Sequence, residues 1–421
     1  MLFDLWSEIV RQRAGEPALW DLAAGRRWSF RDLAQSVGKS GPFASPMAHP
    51  QGNGAEFILT VLKAWRAGAV VCPLEPDQAP PPIPQPPDGC KHLKLTSATS
   101  GAARMIAFTD EQLAADALNI VQTMGLRPDW PNLGAISMAH SYGFSNLVLP
   151  LLLHGIPLIL APSALPEMVR QATSGRASLT LAGVPALWRA WHEARAIPAN
   201  VMLAISAGAP LTLGLEQAVH KACGLKIHNF YGSSECGGIA YDGATTPRAE
   251  EGLVGRAMRH VDLALTDEGC LQVRGGAVGE TYWPVADESL GHGCFQTSDL
   301  AELRDGDLHL RGRIGDLINV AGRKVSPGAV EQVLRGHPAV KECLVFGAPD
   351  AQGERTDRIV ACVVANGHGL ADAEPLRQFL LRRLPAWQMP RDWWFVDSLT
   401  ANNRGKISRA EWRQRYAARK E

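Results

Sequence analysis

The 421-residue chain has no excess of either charge: 42 Lys/Arg balance 42 Asp/Glu. A neutral chain has no general pull toward nucleic acid or an anionic membrane surface, so neither is expected as a partner. Its eight cysteines (Cys72, Cys90, Cys223, Cys236, Cys270, Cys294, Cys343 and Cys362) nowhere form C-x-x-C, and no histidine stands at metal-ligand spacing from them. This pattern excludes the common zinc and redox motifs and predicts reduced, mostly buried thiols in a cytoplasmic protein. The opening MLFDLWSEIVRQRAG lacks the apolar stretch of a signal peptide. A membrane span needs roughly 20 continuous apolar residues. The most apolar run, Asn146 to Leu165, is broken by Pro150, His154, Gly155, Pro157 and Pro162. It predicts a core helix, a glycine turn and a buried strand. The usual P-loop is missing too: Gly38-Lys39-Ser40 has Leu33 where the first glycine belongs.

What is present reads as a globular enzyme of two or three domains, with 46% apolar and 20% charged residues. Helical and strand patterns alternate through most of the chain and predict an α/β fold with largely parallel sheets. Glu56 to Ala67 has the apolar spacing of an amphipathic helix ended by Gly68, with a short strand from Ala69 to Pro73. Ala79 to Asp88 (APPPIPQPPD) is too rich in proline for helix or central strand and predicts an extended loop. Leu179 to Val184, Val201 to Ser206 and Leu225 to Phe230 read as strands; so do Val340 to Gly347 and Arg358 to Ala365. Helices are expected over Ala329 to Arg335 and Glu374 to Leu384, and no internal repeat is visible. From Gly315 onward 17 Lys/Arg face 12 Asp/Glu, and the rest of the chain carries the opposite imbalance. That asymmetry suits a basic small domain that gathers polyanions, and equally suits chance scatter.

Four stretches carry candidate chemistry. Thr96-Ser97-Ala98-Thr99-Ser100-Gly101 follows an apolar strand, and Arg104 follows it. Hydroxyls, backbone amides and a guanidinium can surround a polyphosphate, though such a run also makes an ordinary polar loop. Tyr231-Gly232-Ser233-Ser234-Glu235 follows the strand expected to end at Phe230, and delivers a flat ring, hydroxyls and a carboxylate to one place. The ring can stack on a base and Glu235 can hold Mg²⁺; the bland alternative is a turn with an exposed glutamate. Ala301 to Arg304 and Leu308 to Arg311 alternate apolar and polar residues around Asp305-Gly306, which suits a type I′ hairpin turn. Asp299 and Arg313 stand at the ends of this hairpin, where a carboxylate accepts from hydroxyls and a guanidinium forks onto oxygens. Asn402-Asn403-Arg404-Gly405-Lys406 presents a lysine on a tight turn, and by itself suits a solvated surface equally well.

In this order the blocks resemble the acyl-adenylate-forming superfamily, which includes acyl- and aryl-CoA ligases, adenylation domains and luciferases. The similarity runs from about Trp28 to Arg409. Met138-Ala139-His140-Ser141-Tyr142-Gly143, Ser206-Ala207-Gly208-Ala209-Pro210-Leu211 and Gly252-Leu253-Val254-Gly255-Arg256 resemble further family segments. The resemblance implies a large N-terminal α/β domain with several sheets over residues 1–314, shortened around 77–91. It also implies a small, mobile α+β domain over 315–421. The implied reaction uses ATP, Mg²⁺ and a small carboxylic acid to form an acyl-AMP. The acyl group then passes to CoA or to a carrier-protein phosphopantetheine. Lys406 would bridge the carboxylate and the α-phosphate, and Glu235 would hold Mg²⁺. Thr96, Ser97, Thr99, Ser100, Gly101 and Arg104 would cradle the outer phosphates. Asp299 and Arg313 would take the ribose, and Tyr231 would stack on adenine beside Gly208, Ala209, Asn229, Gly232 and Ser234. His140, Tyr142, Gly143, Ala204, Ala207 and His228 would line the acid pocket, and Gly315 would be the hinge.

The chain departs from the family pattern in places. Ala98, Ala103, Arg104 and Met105 replace Gly, Pro, Lys and Gly in the phosphate loop, Ser298 replaces the Gly of T-G-D, and Gly315 replaces the usual Asp or Lys. These changes keep open a nucleotide- or acyl-binding homologue without catalysis. No acidic residue lies between Asn132 and Pro166 to pair with an amino acid's ammonium group. An aryl or a fatty acid is therefore the expected substrate, with histidines or Tyr142 available to a ring substituent.

Overall fold

Leu179–Gly183 is buried at every position, which is what a strand covered on both faces requires. In the computed structural model, whose described residues are 1–41, 43, 45–81, 85–95, 104–349, 357–366, 372–399 and 407–420, this strand centres a parallel run. It pairs with Asn132–Gly134 on one side and Val201–Ser206 on the other. Leu158–Leu160 and Pro17–Asp21 continue the run outward on the first side, and Ile227–Ser233 on the second. Antiparallel strands then follow at both flanks: Arg26–Ser29 against Pro17–Asp21, and Gly237–Tyr241 against Ile227–Ser233. The pairing is thus parallel at the centre and antiparallel at the flanks, a mixture that alternating helices and strands do not reveal. Leu133, Leu181, Ala204 and Ile227 pack with Trp188, Trp191 and Val219 into one apolar cluster on one face of the sheet.

A second, five-stranded sheet is ordered Thr281–Trp283, Met105–Phe108, His92–Leu95, Val70–Val71, Met47–Ala48. Its expected strand at 69–73 narrows to two residues. The helix Asp110–Met124 follows directly on Met105–Phe108. Thr109 and Gln112 form a reciprocal cap at its start, and Gly125 closes it in the left-handed conformation. The apolar run after Asn146 contains the end of a π turn (Phe144–Val148), the helix Leu149–His154, the left-handed Gly155 and the buried strand Leu158–Leu160. Among the described residues of the proline-rich stretch there is neither helix nor strand.

Two compact units emerge: Met1–Ala264, Gln272–Thr297 and Asp305–Leu308 form one, while Leu265–Leu271, Ser298–Arg304 and His309–Glu421 form the other. The second unit has its own three-stranded sheet. Val340–Pro349 pairs antiparallel with Asp357–Ala365, which pairs parallel with Asp392–Phe395. Alternate residues face opposite sides of a strand, and here both sides are buried. Cys343, Val345, Ile359, Ala361 and Val363 pack on Val330, Leu334, Leu376 and Leu380. Leu344, Phe346, Val360, Cys362 and Val364 pack on Trp412 and Tyr416. The result is a mixed α/β chain with a sheet-rich larger part and a smaller C-terminal part.

All eight cysteines are free thiols, six of them buried. Burial pushes the thiols of Cys72, Cys236 and Cys362 up to about 12, which keeps them protonated. Among the described residues no helix is long and apolar enough to cross a membrane.

Candidate functional site

Ile227–Ser233 carries Asn229 and, rather than leaving them beyond its end, also Tyr231 and Gly232, because Ser233 still pairs with Gly237 of the returning strand. The expected end at Phe230 is corrected accordingly. The strand continues because Gly232 lets two backbones approach: a Cβ there would lie 2.6 Å from the Gly237 carbonyl. Ser234 and Glu235 fall in the tight turn between the two strands. The Glu235 amide donates to Ser233 Oγ at 3.2 Å, and its carbonyl accepts from the Gly279 amide at 2.8 Å. Its carboxylate accepts from the Tyr282 hydroxyl at 3.0 Å. Burial, then the adjoining Glu235 charge, holds the Tyr282 hydroxyl well above the usual phenol range, so it remains a donor. Arg104 places its guanidinium 5.3 Å from the Tyr282 ring centre and donates to Asp287 at 3.1 Å. Ser289, then Arg104, holds the Asp287 carboxyl below its usual range. Tyr282 and Asp287 were not singled out from the sequence. Only the pairing of Thr281–Trp283 with Met105–Phe108 brings them beside Arg104 and Glu235.

The residues expected around the acid do not share one setting. Tyr142 and Phe230 meet with ring centres 5.9 Å apart. Burial pushes the Tyr142 hydroxyl far up, and its nearest acceptors are the Gly183 and Ile205 carbonyls at a long 3.5 Å each. His228 stacks on Tyr241 and bonds through Nδ1 to the Asp242 carbonyl at 2.8 Å. A carbonyl only accepts, so Nδ1 carries the proton and Nε2 is left as an acceptor. Burial, the largest cause, lowers the His228 pKa, so the ring is neutral near pH 7. Gly143 is buried where a Cβ would lie 2.0 Å from the Ser137 carbonyl. That fold-back sets up His140, which is half exposed and contacts Glu75 at 3.3 Å, while Ser137 Oγ donates to the same carboxylate at 2.6 Å. Ala204 is different: it packs into the core cluster with Trp188 and Trp191. Its neighbour Ile205, paired with His228, points the other way. Ala204 is therefore a core residue and not a wall shared with His228. Ala207 is buried just beyond this strand, followed by exposed Gly208 at φ +83° and exposed Ala209.

Four buried charges brace the neighbouring strand ends. Lys226 contacts Glu216 and donates to Asp242 at 2.5 Å, and Arg248 donates to Glu216 at 2.8 Å. Arg248 also donates to the Leu211 and Leu253 carbonyls at 2.6 and 2.7 Å. Asn229 Nδ2 reaches the same Leu253 carbonyl at 3.4 Å. Two cations and two anions with every charge paired can be held in an apolar interior.

In the second unit, Arg313 Nε donates to Asp299 Oδ1 at 2.7 Å. The Asp305-Gly306 turn has φ of +52° and +84°, the signs that a type I′ turn needs. Gly312, at φ +126°, is fixed by close approach: a Cβ would lie 2.4 Å from Ser326 Oγ. Ser326 donates to the Arg311 carbonyl at 2.6 Å and caps the helix Pro327–Arg335. Gly315 lies in the short 3-10 turn Ile314–Asp316, where a Cβ would meet nothing within 4 Å. Thr96, Ser97, Thr99, Ser100, Gly101 and Lys406 lie outside the described residues.

An AMP-binding enzyme family model matches residues 77–283, and the AMP-binding enzyme C-terminal domain matches residues 329–406. Feruloyl-CoA synthase of an Amycolatopsis species is 29% identical over 363 residues, covering 81% of this chain and 72% of that protein. A probable 2-succinylbenzoate–CoA ligase of Mycobacterium tuberculosis is 30% identical over 337 residues, covering 76% of this chain and 83% of that one. ATP-bound MatB from Rhodopseudomonas palustris shares the fold, with a TM-score of 0.86 at 21% identity and 100% of both chains covered. The chain belongs to the AMP-binding enzyme family.

Proposed function

We propose that this enzyme is an ATP-dependent acid–CoA ligase whose substrate is an aryl carboxylic acid. In the first step a carboxylate oxygen attacks the α-phosphorus of ATP, forming acyl-AMP and releasing pyrophosphate. In the second, a thiolate attacks the acyl carbonyl and AMP leaves. The first step brings anion to anion, so its barrier depends on positive charge and donors fixed where charge develops. Lys406 supplies that charge at the carboxylate and α-phosphate. Thr96, Ser97, Thr99, Ser100, Gly101 and Arg104 hold the outer phosphates. Asp299 and Arg313 take the ribose, and Tyr231 the adenine, with Gly208, Ala209, Asn229, Gly232 and Ser234 close by.

The observation that carries this reading is the Glu235 turn, which fixes one carboxylate on the Tyr282 hydroxyl, whose ring the Arg104 cation approaches. Magnesium favours one or two carboxylates together with substrate phosphates. A lone Glu235 fits an ion that arrives with ATP, and among the described residues no group of three or more metal-ligating side chains offers a resident site. Such an ion would offset phosphate charge.

An aryl acid is favoured by the Tyr142–Phe230 pair and by the neutral His228, whose Nε2 can accept from a ring substituent. His140, Gly143 and Ala207 complete the proposed surroundings. Residues 1–314 are proposed as the adenylating domain and 315–421 as a mobile domain turning about Gly315. A carrier-protein phosphopantetheine is the second acceptor to test, because residues from Gly315 onward carry 17 basic against 12 acidic side chains. Acid-dependent exchange of pyrophosphate into ATP across a panel of aryl, fatty and amino acids tests the substrate. Repeating it with CoA or a carrier protein tests the acceptor. Fastest exchange with a fatty acid would overturn the aryl assignment.

A further inference from the structure

We propose that Asp116, balanced by Lys94, is a positioning residue for Glu235; this rests on the role assigned to Glu235 above. Asp116 lies on the helix Asp110–Met124 and is 1% exposed, and Lys94 lies on the strand His92–Leu95 and is 4% exposed. Neither had a part in the chemistry read from the sequence.

The Asp116 carboxylate is a junction of three elements. Oδ1 accepts from the Gly238 amide at 3.3 Å, three residues past Glu235. Oδ2 accepts from Ser145 Oγ at 2.5 Å, on the helical segment that begins with Tyr142 and its neighbours. The Lys94 ammonium lies 3.7 Å from Oδ2. Gly237 shows how closely the turn sits on this carboxylate: its φ is +66°, and a Cβ there would lie 2.1 Å from Asp116 Oδ1. Glu235 itself is held by Ser233, Gly279 and Tyr282, and Asp116 holds the chain just beyond it, where the returning strand begins.

Lys94 has no hydrogen-bond partner among the described residues; its ammonium lies 4.3 Å from the centre of the Phe108 ring. A buried ammonium whose partners among the described residues are one carboxylate and a ring is a costly way to fill space, and apolar residues would pack as well. What the pair adds is a charged acceptor at a fixed place beside a turn whose own carboxylate must be held still. Positioning of this kind is worth much at a reacting centre, where an ångström of misplacement is costly.

The test compares Asp116→Asn, Ser145→Ala and Glu235→Gln, singly and with each of the first two combined with the third. MgATP affinity is read by calorimetry, kcat and KM for MgATP by acid-dependent exchange, and folding by circular dichroism. Asp116→Asn is expected to weaken MgATP binding about tenfold and to lower kcat. Ser145→Ala should do the same about threefold. Neither should add more than about twofold to the Glu235→Gln defect, since residues acting through one group are not additive. Effects that multiply with Glu235→Gln, or a folded Asp116→Asn enzyme with unchanged affinity and kcat, overturn the proposal. If Asp116→Asn does not fold, Ser145→Ala and its double decide by the same criterion. A Glu235→Gln enzyme with full affinity and exchange overturns the Glu235 reading itself, and the positioning role with it.

Discussion

The turn bearing Glu235 and the hairpin bearing Asp299 and Arg313 hold polar side chains by opposite means. At the turn, backbone and carboxylate are pinned by Ser233, Gly279 and Tyr282, and Gly232, Gly237 and Gly238 have no room for a side chain. In the hairpin, Arg313 donates to Asp299, and the Arg313 side chain is 58% exposed while that of Asp299 is 15% exposed. The first arrangement is built before a ligand arrives. The second leaves its guanidinium largely open to solvent, where an ion pair contributes little and a hydroxyl-bearing ligand can reach it. Charge stabilisation needs fixed geometry, while ribose binding tolerates adjustment.

The sharpest way to break this comparison is Gly237→Ala. A left-handed φ and a Cβ at 2.1 Å from the buried Asp116 carboxylate should together cost about 2–4 kcal/mol. Chemical denaturation should show that loss, with activity falling at least about a hundredfold. A stable, active variant would mean that the turn is not over-determined. Next in size is Arg313→Ala. KM for ATP should rise about tenfold, which is about 1.4 kcal/mol, while the melting temperature stays within a degree or two because the Arg313 guanidinium is largely in solvent. A large loss of stability instead would make the hairpin pair structural.

Acid should also cost stability in the unit that carries the turn, since His92, His154 and His228 all lie in Met1–Ala264. Burial lowers the pKa of His92, His154 and His228, so all three are neutral in the folded chain. An unfolded histidine protonates near pH 6.5. The stability these rings contribute is therefore present above about pH 6.5 and lost as pH falls, by up to about 1.4 kcal/mol per pH unit for each linked proton. His92→Phe should flatten the fall in melting temperature between pH 7.5 and 5.5, and an unchanged slope would contradict the assignment. The smallest effect is expected from Gly315→Ala, since no atom lies where its Cβ would go. Stability should change by less than about 0.5 kcal/mol and adenylation should be unaffected, with only thioester formation slowed a few fold. An equal loss in both steps would argue against a hinge there.

Much of this was legible in the sequence where a local rule governs. Asp305-Gly306 demanded positive φ twice and adopts it. The strands in Val340–Pro349 and Asp357–Ala365 were visible as apolar runs, because both of their faces are covered. Fold class and family were readable from blocks in a fixed order. Partnerships made only by the fold were not. Tyr282 lies 47 residues from Glu235, and Arg104 lies 183 from Asp287. Nothing local marks Lys94 and Asp116, and only packing shows them buried. Ala204 was misplaced for a related reason: the motif names a strand, but strand parity decides which face each residue lines.

The central claim is that this chain joins a carboxylic acid to AMP and then to a thiol. Acid-dependent pyrophosphate exchange, measured across the acid panel for the wild-type enzyme and for Lys406→Ala, tests it most directly. The expected result is exchange with an aryl acid, a thioester on adding CoA, and a fall of about 10²–10³-fold in Lys406→Ala with ATP affinity retained. No exchange with any acid, or full exchange in Lys406→Ala, would contradict the account.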